Sequence, residues 1–223
     1  MHRRTLGAIA LAVPALALAS GCATASHATD TNQSDQAASP NEGFVPISEA
    51  EFNLLKKSVL FTEDDARYLR MSRAVLEPNV DELLNVWYGF VGSNDHLVYY
   101  FSHPTTKEPD ARYLTRVRAR FGQWVLDTAD ANFDQAWLNK QLELGLRHHR
   151  LKKNTTDNAN AVDHIPFRYL VALHYPITTT MKPFLAQGGH SEEDVQGMYE
   201  AWRKAVLMTA ILWSQPYINE ADF

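Results

Sequence analysis

Trp137-Leu138-Asn139-Lys140-Gln141-Leu142-Glu143-Leu144-Gly145-Leu146-Arg147-His148-His149-Arg150 is the stretch on which the reading of this chain turns. Apolar positions 137, 138, 142, 144, 145 and 146 recur at three- and four-residue spacing. That spacing predicts a helix, from a cap at Asn132 to about His149. Two histidines close it beside Arg150, Lys152 and Lys153, and basic groups suit the negative end of a helix dipole. A histidine at such a place is either a hydrogen-bonded surface imidazole or a metal ligand. Periodicity does not separate the pair: His148 shares a face with Leu144 and Trp137, and His149 shares one with Leu142 and Leu138.

Working outward, every neighbouring segment also reads as helix. Ser48-Glu49-Ala50-Glu51 is a capping box that starts a short helix to about Val59. Thr62 caps a second, whose core face carries Ala66, Leu69, Val75 and Leu76 and which Pro78 ends. A third, from about Val80 to Val91, holds Leu83, Leu84, Val86, Trp87, Tyr88 and Phe90. His96 to Phe101 is a short apolar helix, and Ala111 to Thr128 is strongly amphipathic, with Leu114, Val117, Phe121, Trp124 and Val125 on one face. After the polar loop from Lys152 to His164, Pro166 opens a long helix to about Ala186, with Pro176 as an expected kink. Gly188-Gly189 breaks the chain, and the last helix runs from Ser191-Glu192-Glu193-Asp194 to about Trp213. No segment alternates with period two between hairpin turns. The expectation is an all-α fold of about eight helices.

The first 43 residues stand apart from that fold. Arg3 and Arg4 precede an apolar run from Leu6 to Leu18 that is too short to span a bilayer comfortably. Ala19-Ser20-Gly21-Cys22 resembles a bacterial lipobox. Residues 1–21 therefore read as a lipoprotein-type signal peptide, Cys22 as the lipidated residue, and residues 22–43 as a polar tether before the domain 44–223. The expected location is the cell envelope, with membrane contact only through a lipid anchor at Cys22. Cys22 is also the one cysteine in the chain. That rules out an intramolecular disulfide, a thiolate-rich zinc or iron–sulfur site, and a cysteine nucleophile inside the fold. A net charge of −5 gives no reason to expect nucleic acid as a partner.

The motifs of common enzymes are missing. The chain has no H-E-x-x-H pair, nucleophile elbow, phosphate-binding glycine loop or dinucleotide fingerprint. A lone imidazole in apolar, aromatic, helical surroundings fits few schemes, and haem is the foremost, because one proximal ligand suffices. The aromatic residues Trp87, Tyr88, Phe90, Phe121 and Trp124, at helical spacing, read first as plain core and only second as a cofactor wall.

A family resemblance bears on both questions. Trp87-Tyr88-Gly89-Phe90-Val91-Gly92-Ser93 is similar to protoglobin, as are Ala111-Arg112-Tyr113-Leu114 and Val117-Arg118-Ala119-Arg120-Phe121-Gly122-Gln123-Trp124. So are Gly145-Leu146-Arg147-His148-His149-Arg150 and Arg168-Tyr169-Leu170-Val171-Ala172. Lys182-Pro183-Phe184-Leu185 and Trp213-Ser214-Gln215-Pro216-Tyr217, followed by Ala221-Asp222-Phe223, complete a likeness that runs from about Ser48 to Phe223. Protoglobins are single-domain relatives of globin-coupled sensors. The resemblance implies a globin-like helical sandwich around haem b with an extra N-terminal helix, here the Ser48 segment. It implies His148 as the proximal iron ligand. It also implies Trp87, Tyr88, Phe121, Leu173 and Ile177 as cofactor-pocket residues, with Val117 where a distal histidine would otherwise stand. His174, beside Leu173, is expected to face outward.

The function so implied is binding of O2, CO or NO, as a gas sensor or carrier, rather than turnover. Two further readings follow from the same residues: an envelope haem enzyme that detoxifies nitric oxide, peroxynitrite or peroxide, and a haem-free module that binds a partner. The last two helices, about 166–186 and 192–213, carry more apolar surface than one core face needs and are expected to form a homodimer. No attached output domain is expected.

Overall fold

Five helix starts are fixed by side chains that accept a hydrogen bond from the backbone N–H three residues on. Ser48, Thr62, Asp110, Asp134 and Ser191 do this at 3.2, 3.4, 2.9, 2.8 and 3.1 Å, each satisfying one of the donors a helix leaves open at its start. The computed structural model describes residues 43–218 and Phe223, and the signal peptide, Cys22 and all but the last residue of the tether lie outside them. The nine α-helices of the described residues are α1 (Glu49–Ser58), α2 (Glu63–Leu76), α3 (Val80–Gly92), α4 (Asp95–Val98), α5 (Ala111–Ala129), α6 (Gln135–Leu146), α7 (Phe167–Ala172), α8 (His174–Leu185) and α9 (Glu192–Ser214). Short 3-10 turns follow α2, α4, α8 and α9. Among the described residues there is no strand, only one isolated bridge between Ser102 and Pro109.

α9 is the axis of the structure. It packs on α2, α6, α7 and α8 and buries Val195, Met198, Ala201, Trp202, Ala205, Val206, Met208 and Leu212. Its face meets Leu69 and Leu76 of α2, Trp124 and Val125 of α5, and Met181 and Leu185 of α8 in one continuous core. Trp202 is wholly buried there, and its indole N–H donates to the Ser72 hydroxyl at 2.8 Å. α1 closes a second cluster, where Phe52 meets Trp137, Leu138, Met208 and Leu212. In the third, only Trp87, Val91 and Leu97 are fully buried, ringed by half-buried Tyr88, Phe90, Phe101, Phe121, Tyr169, Leu173 and Ile177. Of that ring, Tyr88, Phe101, Phe121, Tyr169, Leu173 and Ile177 line a cavity.

Two boundaries differ from the sequence expectation. The helix expected from Asn132 to His149 is capped by Asp134 and ends at Leu146, because Asp134 reaches the Trp137 N–H and Ala131 has a positive φ of 51° in the turn before it. The expected long helix 166–186 is two helices, α7 and α8, meeting at Leu173. Pro176 has no N–H to return to the Ala172 carbonyl, so the ladder breaks there and not by a mere kink. Pro166 precedes the first turn of α7, with φ −59° and ψ 139°. Gly189, at φ 71°, makes the expected break before α9.

Candidate functional site

The cavity lies between the end of α6, α3, α5, α7–α8 and α9. The space in it open to water-sized spheres is about 180 Å³, and its lining is mostly apolar.

One wall is built from the end of α6. A helical His148 would send its N–H to the Leu144 carbonyl. Instead the imidazole Nδ1 lies 2.7 Å from that oxygen, and the His148 N–H turns to Gly145 O at 3.0 Å. The side chain has taken the acceptor that the next turn of helix needs, so α6 stops. A carbonyl only accepts, so Nδ1 carries the proton and Nε2 keeps its lone pair. Burial pushes the imidazole down to about 4, outweighing the hydrogen bond to Leu144. The half-buried ring lines the cavity and is neutral at pH 7.

Trp213, at the end of α9, stacks on His148 with ring centroids 4.6 Å apart and planes 27° from parallel. α6 and α9 meet closely enough there that a Cβ on Gly145 would come within 2.9 Å of Trp213 Cα and carbonyl oxygen. Glycine is required at that contact.

The opposite wall comes from α3 and α5. Trp87 packs edge-on against Phe121 at 5.8 Å, and Phe121 stacks on Trp124 at 5.4 Å. Tyr88 lines the cavity, its phenol pushed above its ordinary range by burial. Among the described residues its hydroxyl has no hydrogen-bond partner. Val117, one turn before Phe121, and Leu173 and Ile177 complete an apolar surface. The structure thus brings His148, Trp87, Tyr88, Phe121, Leu173 and Ile177 to one cavity.

The neighbouring histidines are placed differently. His149 lies away from the cavity lining, edge-on to His164 and to Tyr217, each at 5.0 Å. Burial lowers the pKa of both histidines. His174 does not face outward as expected. It borders the cavity, half-buried, and its ring Nε2 donates to the Arg203 carbonyl at 3.1 Å, tying α8 to α9 where α7 and α8 break.

Sequence reasoning missed the polar end of the cavity, formed by the loop after α6. Lys153 is 2% exposed, and its Nζ donates to the carbonyls of Tyr100 and Val162 at 2.7 and 2.6 Å. Burial lowers its pKa to about 8. Asp157 is buried and clamps Arg120, with Arg116 3.7 Å away. In the sequence these are a lysine and an aspartate in a polar loop. The only signal was the loop's own run of charges, which reads as solvated surface.

The site is thus an aromatic, apolar cavity walled by helices, with the imidazole of His148 at one wall and that of His174 at its border. The Protoglobin family model matches residues 48–223, and the chain belongs to that family. The globin domain of the Geobacter sulfurreducens globin-coupled sensor is similar in structure, with a TM-score of 0.59 at 14% identity over 78% of this chain and 99% of that one. Among curated proteins none matches. Family membership implies a globin-type haem protein with a role in gas binding or sensing.

Proposed function

We propose that the cavity holds haem b through Nε2 of His148 and that the protein binds O2, CO or NO there as a gas sensor or carrier. One observation carries this reading. His148 lines the apolar cavity while its Nδ1–H is tied to the Leu144 carbonyl, which leaves Nε2 as the nitrogen with a lone pair, the arrangement that makes a histidine a good metal donor. When bound, haem would supply an iron able to take a diatomic gas. The remaining work falls to the chain. The rings of Trp87 and Phe121 exclude water, and Leu173 and Ile177 keep the wall apolar. The Tyr88 hydroxyl is free to donate a hydrogen bond to a polar ligand. Arg147 and Lys153 stand at the same cavity as cations for the carboxylates of the group.

The assembly and location are part of the same proposal. Phe167, Val171 and Tyr175 are exposed at four-residue spacing along α7 and the start of α8, with Leu207 exposed on α9. That surface supports a homodimer through the last two helical regions. A lipid on Cys22 would hold the domain at the cell envelope.

Absorption spectra of the ferric, ferrous and CO-treated protein test the reading. Wild-type protein takes up one haem and gives a shifted ferrous–CO band, and His148→Ala loses both. Unchanged spectra in that variant would remove His148 as the ligand.

A further inference from the structure

We infer that Trp213 is a positioning residue for His148, held by Gln141 so that its indole fixes the plane of the imidazole. The inference rests on the proposed haem reading of the cavity and adds a residue to it.

The hydrogen bond from Nδ1–H to Leu144 O fixes one point of the ring and leaves it free to swing about that line. Trp213 removes this freedom by covering one face at 4.6 Å. The indole is in turn held on three sides. Its Nε1–H donates to Gln141 Oε1 at 2.9 Å, the Trp124 ring lies 5.8 Å away, and its backbone rests on Gly145. Gln141 and Gly145 precede His148 by seven and three residues. The helix that delivers the imidazole therefore also grips the ring that orients it.

Gln141 separates positioning from packing. It is 1% exposed, and its Nε2 has no hydrogen-bond partner among the described residues. Burying an amide with one half unsatisfied is costly, and a leucine would fill the same space without that cost. What the glutamine provides is one directed bond to Trp213.

The test uses Gln141→Leu, Trp213→Leu and the conservative Trp213→Phe. In ferrous wild-type protein the iron–imidazole stretching band in resonance Raman is single and narrow. Gln141→Leu and Trp213→Leu broaden or split it and raise the rate of haem loss to an acceptor globin about tenfold, the loss expected for roughly one hydrogen bond. Trp213→Phe, which keeps a ring to stack but has no N–H for Gln141, gives a band like that of Gln141→Leu and sharper than that of Trp213→Leu. In the apoprotein, nitrogen-15 spectra show His148 as the Nδ1–H tautomer in wild type and exchanging between tautomers in Trp213→Leu. Should Trp213→Leu fail to fold, Gln141→Leu decides by the same readouts. A band and a haem-loss rate unchanged in Gln141→Leu overturn the inference and leave the haem reading standing. Wild-type protein that takes up no haem overturns that reading instead, and the apoprotein tautomer still judges the positioning.

Discussion

Trp202 and Trp87 are both tryptophans at helical spacing among other aromatic residues, and they end in opposite surroundings. Around Trp202, α2, α5, α8 and α9 fill the space completely, and the indole N–H is satisfied by Ser72. In the cluster of Trp87 only Trp87, Val91 and Leu97 are fully buried, and most of the others line a cavity. The difference does not lie in the residue types. It lies in whether the next helix arrives to cover the second face of each ring. α2 and α5 do so for Trp202, through Ser72 and Trp124. Opposite Trp87 the chain breaks between α7 and α8, and the loop after α6 bends round the gap.

The sharpest way to break this contrast is at the cavity. His148→Ala should cost more than 100-fold in haem affinity, several kcal/mol of lost ligation, whereas His149→Ala should change it less than about threefold. Equal losses in a haem titration would mean that the hollow half is not organised around one imidazole. In the filled half, Trp202→Ala should destabilise the apoprotein by about 4 kcal/mol, the usual range for a buried tryptophan. Trp87→Ala should cost less than half as much, because one of its faces is already unpacked. Denaturant unfolding of both variants decides this, and equal costs would erase the distinction. Tyr88→Phe should leave stability nearly unchanged and speed O2 dissociation about fivefold, for a hydrogen bond of ~1 kcal/mol, measured by flash photolysis. The smallest effect is far from the cavity, where Ser191→Ala should cost about 1 kcal/mol by loss of the α9 cap.

Much of the filled half was legible in the sequence, because its determinants are local. Ser48, Thr62 and Ser191 announce their helices three residues ahead, and Ala66, Leu69, Val75 and Leu76 repeat at the helical period and are all buried. The hollow half was legible only through the family likeness. Periodicity gave His148 and His149 equal standing, and what separates them is a side-chain bond to the Leu144 carbonyl that no spacing rule contains. Trp213 lies 65 positions beyond His148, and Lys153 meets Tyr100 and Val162 across two loops. Such contacts depend on where the chain returns. Pro176 was read as a kink and is a break, since the missing N–H coincides with the junction where His174 is tied to α9. His174 itself was misplaced for the same reason: its partner is a backbone carbonyl on another helix.

The bond from His148 to Leu144 has one more consequence. The same imidazole that offers Nε2 to the cavity also acts as a full stop in the chain, and the Ile165 N–H returns to the His148 carbonyl at 3.0 Å. Donor, helix end and the course of the next seventeen residues are therefore in one phase. A single-residue deletion within α6 would carry His149 into that role and shift all three together, whereas added length between Lys153 and Val162 would leave α6 and its imidazole in place. The protein can vary what it hangs beside its site far more freely than the frame in which the site is written.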